Sequence, residues 1–279
     1  MAAIELSAGT ISYQDSGGDG TLIVFVHGVL MDGSVWDSVT ERLTPEFRCV
    51  RPTWPLGSHL QAMNPGADLS LQGIALLVGE FLERLDLRNV ILVQNDWGGA
   101  QVLIANGSSA RIAKLVLAAC EAFDNYPPGL PGRAIERAAR IPGGLALLMR
   151  ALRLTAVRRA PGSWGWMSKR PVPRSVMDRW FRPATTDHAV RSDLGVYCRS
   201  TPDRTTLLRW AQANVCFDRP VLVVWAAEDK IMPRAHGERL ADLYPQGRLV
   251  MIEDSYTLIP LDQPTALADC VAQFARTDS

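Results

Sequence analysis

Hydrophobic residues along the first part of the chain follow two spacings in turn. Continuous apolar runs rich in β-branched residues predict strands buried on both faces, and apolar residues three or four positions apart predict helices. Strands are predicted at residues 4–6, 10–14, 22–26, 49–52, 90–93 and 112–117. Helices are predicted at residues 35–43, 71–85 and 98–106, with Ser70 suited to be the N-cap of the second.

The alternation stops after residue 122 and resumes after residue 213. The residues between are rich in Arg, Pro and Trp, with helical spacing at 134–140 and 145–157. Beyond them, strands predicted at 221–225 and 249–252 alternate with helices at 235–243 and 264–274. This order predicts an α/β core, residues 1–122 and 214–279, with a mostly parallel sheet covered by helices on both faces. Residues 123–213 are predicted to form an inserted helical cap.

The overall charge gives the chain no attraction for polyanions. Lys plus Arg and Asp plus Glu both number 29, so neither nucleic acid nor a membrane is expected as a partner. A basic cluster from Arg150 to Arg170 is typical of a solvated helix face. No apolar run reaches the ~18 residues of a membrane span, and no signal peptide is evident. Five scattered cysteines without C-x-x-C spacing favour a cytoplasmic protein without a metal site.

Residues 90–99, Val-Ile-Leu-Val-Gln-Asn-Asp-Trp-Gly-Gly, carry the strongest chemical signal. A buried strand runs directly into a helix through Asp96, and the two glycines that follow Trp97 allow a tight turn. Such a turn raises its side chain above the sheet at the positive end of the helix, which favours a carboxylate. The sequence therefore predicts Asp96 to be a nucleophile, with a helix N-cap as the alternative.

The order of elements, His27-Gly28 and the run Asn-Asp-Trp-Gly-Gly resemble the α/β-hydrolase superfamily, and within it the haloalkane dehalogenase and epoxide hydrolase branch. The resemblance covers essentially the whole chain outside the cap and implies the α/β-hydrolase fold with an eight-stranded sheet. It implies that Asp96 attacks a saturated carbon, leaving an alkyl ester that water hydrolyses. It also implies an oxyanion hole from the backbone N–H groups of Val29 and Trp97, beside His27 and Gly28.

Two acids are candidates to support the nucleophile. Asp229, in Ala-Ala-Glu-Asp-Lys after a predicted strand, stands where this superfamily usually has its acid. Glu121, directly after the strand at 112–117, matches the acid position of some dehalogenases. The sequence does not decide between them.

The histidine that should activate water is missing. By the resemblance its position falls on Thr257, and no histidine follows His236 in the chain. Without such a base, an alkyl ester on Asp96 should persist. Tyr256, which flanks the position, and His59, which follows the fourth strand, are the candidate substitutes.

Aromatic residues are expected to form the substrate pocket. A cap tyrosine suits protonation of an epoxide oxygen, and tryptophans suit halide binding or a pocket wall, although simple packing is an alternative for each. The residues concerned are Trp36, Tyr197, Trp164 and Trp180. Val29 replaces an Asn common in dehalogenases and Leu30 a Pro common in epoxide hydrolases, so the choice between halide and epoxide stays open.

Together these features predict a hydrolase of carbon–halide or epoxide bonds. Its substrate is expected to be a small apolar organic molecule, with no cofactor or metal, and the protein to be a monomer or homodimer. The missing histidine supports an alternative on the same scaffold. That alternative is a ligand-binding or covalent-trap protein, or a lyase or isomerase that uses Asp96 as an acid–base group.

Overall fold

The computed structural model describes residues 1–277 and arranges eight strands in one sheet. The strands are β1 (Ala2–Leu6), β2 (Gly9–Asp15), β3 (Leu22–Val26), β4 (Arg48–Pro52), β5 (Val90–Asp96), β6 (Ile112–Cys120), β7 (Val221–Ala226) and β8 (Gly247–Ile252). Their spatial order is β1-β2-β4-β3-β5-β6-β7-β8. The β1–β2 and β2–β4 pairs are antiparallel, and all later neighbours are parallel. The predicted α/β-hydrolase fold with a mostly parallel sheet is therefore confirmed.

Helices connect the strands and cover the sheet. Those before the cap segment are α1 (Asp37–Leu43), α2 (Leu71–Arg84) and α3 (Ala100–Ala105). Between β6 and β7 lie α4 (Gly129–Arg140), α5 (Gly144–Ala151), α6 (Thr155–Arg159), α7 (Arg174–Thr186), α8 (His188–Arg199) and α9 (Arg204–Ala213). The last are α10 (Arg234–Leu243), α11 (Ile259–Asp262) and α12 (Pro264–Arg276).

Local sequence explains most of the core elements. Every residue of β5 is buried, as its run of Val, Ile and Leu requires between two helical layers. At the start of α2, Ser70 Oγ accepts the N–H of Gly73 at 3.1 Å, so the predicted N-cap is confirmed. No helix in residues 1–277 is long and apolar enough to cross a bilayer.

The cap segment departs from the sequence pattern. The single helix predicted at 145–157 is wrong, because the chain is extended at Leu154 and divides the segment into α5 and α6. The helices α7, α8 and α9 were not predicted, and α7 contains Pro183, a residue that normally argues against a helix interior. The division into core and cap at residues 123 and 213 stays a prediction.

Candidate active site

Asp96 lies at the end of β5 in a left-handed backbone conformation, with φ of 61°. This region is costly for a residue with a side chain and is typical of functional turns. A side chain at Gly98 would overlap with Val26 on the neighbouring strand, and Gly99 has φ of 80°. The turn therefore needs both glycines, and it holds Asp96 above the carboxyl edge of the sheet.

The carboxylate of Asp96 is buried in a confined space. Neither of its oxygens accepts a hydrogen bond of ordinary geometry from any residue in the described range 1–277. Burial, followed by the nearby Glu121 carboxyl, raises its pKa well above the ordinary value, and the backbone N–H groups of Trp97 and Val29 oppose the rise. A Cβ atom on Gly28 would overlap with Asp96 Oδ2, so only glycine leaves room for the carboxylate there.

His27 is fixed as part of the loop after β3. Its Nε2 accepts the Trp54 N–H at 2.9 Å, so Nδ1 carries the proton and donates to Gly28 O at 2.9 Å. The ring is fully buried, and burial lowers its pKa to about 4. A neutral His27 therefore holds the loop that brings Gly28 and Val29 against Asp96.

Glu121 is bound beneath the turn. Its Oε1 accepts the N–H of Gly99 at 3.0 Å, and its Oε2 accepts from Gln94 Nε2 at 2.5 Å. Burial raises the pKa of Glu121 to about 8, so it is largely protonated at neutral pH. Glu121 is thus engaged with the backbone at the start of α3.

Asp229, which follows β7, contacts Thr257, which follows β8. Thr257 Oγ1 donates to Asp229 Oδ1 at 2.8 Å, and the N–H groups of Ile231 and Met232 donate to the same oxygen at 2.8 Å each. The other oxygen, Oδ2, is buried and has no hydrogen-bond partner within residues 1–277. Burial raises the pKa of Asp229 to about 6. Of the two candidate acids, Asp229 is the one that bonds with the residue at 257.

The two candidate substitutes for the base have other partners. His59 Nδ1 accepts the Gly57 N–H at 3.3 Å, and its Nε2 lies 3.1 Å from Asp193 Oδ2 on α8. The ring of Tyr256 lies under the ammonium of Lys230, 4.4 Å from ring centroid to Nζ. In the part of the chain that the structure describes, neither side chain forms a hydrogen bond with Asp96. Their role as bases stays a prediction.

Sequence reasoning gave no role to Asn95, the residue before the nucleophile. Its Nδ2 donates to Ala118 O at 2.7 Å and to Thr257 O at 2.8 Å. The amide thereby joins the ends of β5 and β6 to the loop after β8. A polar side chain at the end of a fully buried strand was the available signal, because buried amides require partners.

A cavity of about 270 Å³ opens onto Asp96 between the sheet edge and the cap. The core contributes Val29, Asp96 and Trp97, and the cap contributes apolar residues that include Ile135, Leu148 and Trp164. The indole N–H of Trp164 is buried and unpaired among residues 1–277. The cavity therefore combines an apolar wall with one carboxylate and two indole rings.

Three of the four aromatic residues predicted for the pocket lie outside this cavity, and their role in substrate binding stays a prediction. Trp36 packs in the core against Phe25, with ring centroids 4.9 Å apart. The indole N–H of Trp180 donates to Asp32 Oδ1 and to Ser34 Oγ at 3.1 Å each. The hydroxyl of Tyr197 donates to the backbone carbonyl of Trp97 at 3.1 Å. Their sequence positions did not show which way each ring faces.

The chain is similar to proteins of known family. A model of the alpha/beta hydrolase family matches residues 23–270. A haloalkane dehalogenase of Mesorhizobium japonicum is 28% identical over 142 residues, which are 48% of this chain and 44% of that protein, so the match spans under half of that relative. Haloalkane dehalogenase 2 of Mycobacterium tuberculosis is 24% identical over 298 residues, covering 96% of this chain and 92% of that protein.

Solved structures extend the likeness over the whole chain. The crystal structure of haloalkane dehalogenase DbeA from Bradyrhizobium elkani superposes with a TM-score of 0.78 and 18% identity. The superposition covers 98% of this chain and 95% of that one. At this level of identity the likeness shows a shared fold alone.

Proposed function

Because the chain belongs to the alpha/beta hydrolase family, whose model matches residues 23–270, we propose that it is a dehalogenase-like enzyme with Asp96 as nucleophile. The observation that carries this proposal is the single carboxylate at the base of an apolar cavity, beside two indole rings. Asp96 attacks a saturated carbon and forms a C–O bond, and the halide leaves with the electrons of the broken carbon–halogen bond. The product is an alkyl ester on Asp96.

The indole rings favour a halide over an epoxide. A departing halide in an apolar cavity needs hydrogen-bond donors, and the buried N–H of Trp164 has no other partner among residues 1–277. Opening an epoxide instead requires a hydroxyl to protonate its oxygen. The hydroxyl of Tyr197 donates to Trp97 O, and Tyr197 is not part of the cavity wall. The one hydroxyl among the lining residues is that of Ser163, which is a far weaker acid than a phenol.

The ionisation of Asp96 sets the pH dependence of the first step. Only the ionised carboxylate attacks, and burial raises its pKa well above the ordinary value. Glu121, with a pKa of about 8, is largely neutral below that pH, and once it ionises its charge further opposes the ionisation of Asp96. Ester formation is therefore expected to become faster as the pH rises through the pKa of Asp96.

For the second step, Asp229 is the proposed base. Thr257 cannot accept a proton at neutral pH, whereas Asp229 has a pKa of about 6 and one oxygen free of partners in residues 1–277. Threonine is smaller than histidine, and we expect water to reach the unpartnered oxygen of Asp229 beside Thr257. Water attacks the ester carbonyl, its proton passes to Asp229, and the N–H groups of Val29 and Trp97 stabilise the oxyanion. The leaving alkoxide then takes the proton and departs as an alcohol.

A covalent trap is the second candidate, and the residue at 257 favours it. Thr257 offers no basic atom to water, so ester hydrolysis is expected to be slower than ester formation. In the limiting case the alkyl ester does not hydrolyse at all. Both candidates share the first step and differ only in the fate of the ester on Asp96.

The test uses a panel of short bromoalkanes and chloroalkanes, with halide release and intact mass followed over time. The proposed enzyme releases one halide per chain in a rapid phase, gains the mass of the alkyl group on the peptide containing Asp96, and then turns over slowly. A covalent trap releases one halide per chain and then reacts no further. The Asp96→Ala variant, folded by circular dichroism, should lose both signals. Neither halide nor adduct from the wild-type protein over the whole panel would contradict the proposed function.

A further inference from the structure

The cap carries a local charge that the neutral overall balance conceals. Residues 129–174 contain ten Arg and Lys residues and one glutamate, in a chain with equal numbers of basic and acidic residues. The rest of the chain is correspondingly acidic. Within residues 1–277, no side-chain hydrogen bond or ion pair is formed by five exposed arginines of this segment: Arg133, Arg137, Arg150, Arg153 and Arg159.

Large apolar side chains are exposed among these arginines. Leu130, Ile141, Leu147 and Leu154 are 55%, 60%, 67% and 62% exposed. They are four of the eight large hydrophobic residues exposed in residues 1–277, although this stretch is a small part of the chain. Exposed apolar side chains of this size are not expected on a basic helix face that contacts only water.

Helical spacing places these residues on the outer side of the cap. On α4, Leu130, Arg133 and Arg137 follow one another at the i, i+3, i+7 spacing of a single face, and Ile141 follows just past the helix end. Leu147 and Arg150 share a face of α5, and Arg153 and Leu154 lie in the turn after it. The exposed residues Leu130, Arg133, Arg137, Ile141, Leu147, Arg150, Arg153, Leu154 and Arg159 are together termed the cap-roof surface.

The opposite sides of these helices face the cavity. Ile135 of α4 and Leu148 of α5 line it, together with Val157 of α6. The cap-roof surface is thus the outer side of the wall that closes the apolar cavity. A partner bound to this surface lies one helix thickness from the space above Asp96.

We propose that the cap-roof surface binds an anionic lipid bilayer. Arginines near such a surface each contribute about 1 kcal/mol of attraction to anionic headgroups. Exposed leucines and isoleucine gain by entering the boundary between headgroups and acyl chains. Nucleic acid offers no comparable site for isolated aliphatic side chains, and the acidic remainder of the chain is repelled by the bilayer, which orients the cap towards it.

This inference revises the expectation that no membrane is a partner, which rested on the net charge of the whole chain. It needs no helix that spans the bilayer. It also stands apart from the proposed reaction, because it depends on the outer surface of the cap and not on Asp96. An apolar substrate dissolved in the bilayer has a short path to the cavity below.

The test is sedimentation with vesicles of phosphatidylcholine, with and without phosphatidylserine, at low and high salt. Wild-type protein is expected to sediment with the phosphatidylserine vesicles only, and less at high salt. The triple variant Arg133→Glu, Arg137→Glu, Arg150→Glu should bind at least roughly tenfold more weakly. A matched control, Arg42→Glu, Arg84→Glu, Arg248→Glu, makes the same charge change at exposed positions of the core and should keep binding within about twofold.

A second pair of substitutions separates a bilayer from an acidic protein or other polyanion. Leu147→Ser with Leu154→Ser leaves the charge unchanged and should weaken vesicle binding severalfold while its salt dependence persists. Vesicle binding equal to wild type in this double variant would overturn the bilayer proposal in favour of a purely electrostatic surface. Absence of binding to phosphatidylserine vesicles, or an equal loss in the two triple variants, would also overturn it.

Discussion

The hydroxyl of Thr257 donates to Asp229 Oδ1 at 2.8 Å, across the carboxyl ends of β7 and β8. An imidazole at position 257 would make the same bond from one ring nitrogen and keep the second nitrogen for water. A threonine hydroxyl donates its one hydrogen to Asp229 and has no basic atom left. This contact between Thr257 and Asp229 therefore bears on ester hydrolysis, the second half of the proposed reaction, and not on ester formation, the first half.

An imidazole at position 257 should accelerate only ester hydrolysis, the second half of the proposed reaction. In Thr257→His we expect ester hydrolysis to accelerate roughly a hundredfold or more, which is the usual scale of general-base catalysis. The single rapid phase of halide release should become steady turnover, measured by a continuous halide assay. Thr257→Val is the control, because it fills a similar volume without a base. An unchanged hydrolysis rate in Thr257→His would show that residue 257 does not face the ester.

Removing the proposed base should have the opposite effect. In Asp229→Asn the rapid release of one halide persists, whereas hydrolysis of the ester falls by about a hundredfold. In the wild-type protein the hydrolysis rate should rise with pH through about 6, where Asp229 loses its proton. Intact mass over time follows the ester directly. Equal ester lifetimes in the two proteins would exclude Asp229 as the base.

The absence of a side chain at Gly28 should control the rate at which Asp96 attacks the substrate. In Gly28→Ala the added methyl group overlaps with Asp96 Oδ2, so the carboxylate must turn away from its position. We expect a loss of at least about a hundredfold in the rate of ester formation, because misplacement by ~1 Å has that effect. Rapid-quench mass spectrometry measures this rate.

Gly79→Ala is the matched control for that substitution. It adds the same methyl group within α2, where the nearest atom is a flexible end of Leu103 at 3.0 Å. Its rate of ester formation should equal that of the wild-type protein. A comparable loss in both variants would mean that general damage to the fold, and not crowding of Asp96, explains the effect.

The buried N–H of Trp164 is expected to assist departure of the halide. Trp164→Phe keeps an aromatic ring and removes only the donor, so we expect ester formation to slow by roughly 10–100-fold. Trp180→Phe removes an indole donor that bonds with Asp32 and Ser34, outside the cavity. Its halide release should be unchanged although its thermal stability falls. If the two variants release halide equally fast, Trp164 has no role in halide binding.

Glu121 should make the fold less stable as the pH rises. Its pKa of about 8 in the folded state exceeds the ordinary 4.5, so the folded protein holds a proton that the unfolded chain releases. The stability that the protonated Glu121 contributes to the fold is therefore fully present below about pH 4.5 and is lost as the pH rises through about 8. Relative to wild type, Glu121→Gln should gain on the order of 2 kcal/mol in unfolding free energy between about pH 6 and about pH 8. Urea denaturation at each pH measures the difference. A difference that does not change with pH would contradict this ionisation.

The core could be predicted from the sequence because its strands are buried on both faces. A run such as Val90 to Val93 has few alternatives, and the order of strands then fixes which loops meet at the sheet edge. Position 257 was instead assigned from the resemblance to the hydrolase superfamily, and its role in the reaction stays a prediction. The helices of the cap could not be predicted from the sequence, because α7 contains a proline and its apolar residues are spread among arginines.

Side-chain direction set a second limit on prediction from sequence. Trp164 and Trp180 belong to the same cap, yet the first lines the cavity and the second bonds with the loop after β3. Their sequence neighbourhoods do not distinguish these outcomes, which depend on how the cap helices pack. The partners of Glu121 were equally hidden, since a buried carboxyl after a strand fits either a supporting acid or a group that bonds with the turn.

The bond from Asn95 Nδ2 to the carbonyl of Thr257 fixes the main chain at 257 without using the side chain there. The loop is thus held in the same place whichever residue it presents. Substitution at this position is therefore expected to alter the last step of the proposed reaction more than the path of the loop. In evolutionary terms, this amide lets a lineage exchange the residue at 257 without rebuilding the loop, provided that the new side chain still fits the buried space beside Asp229.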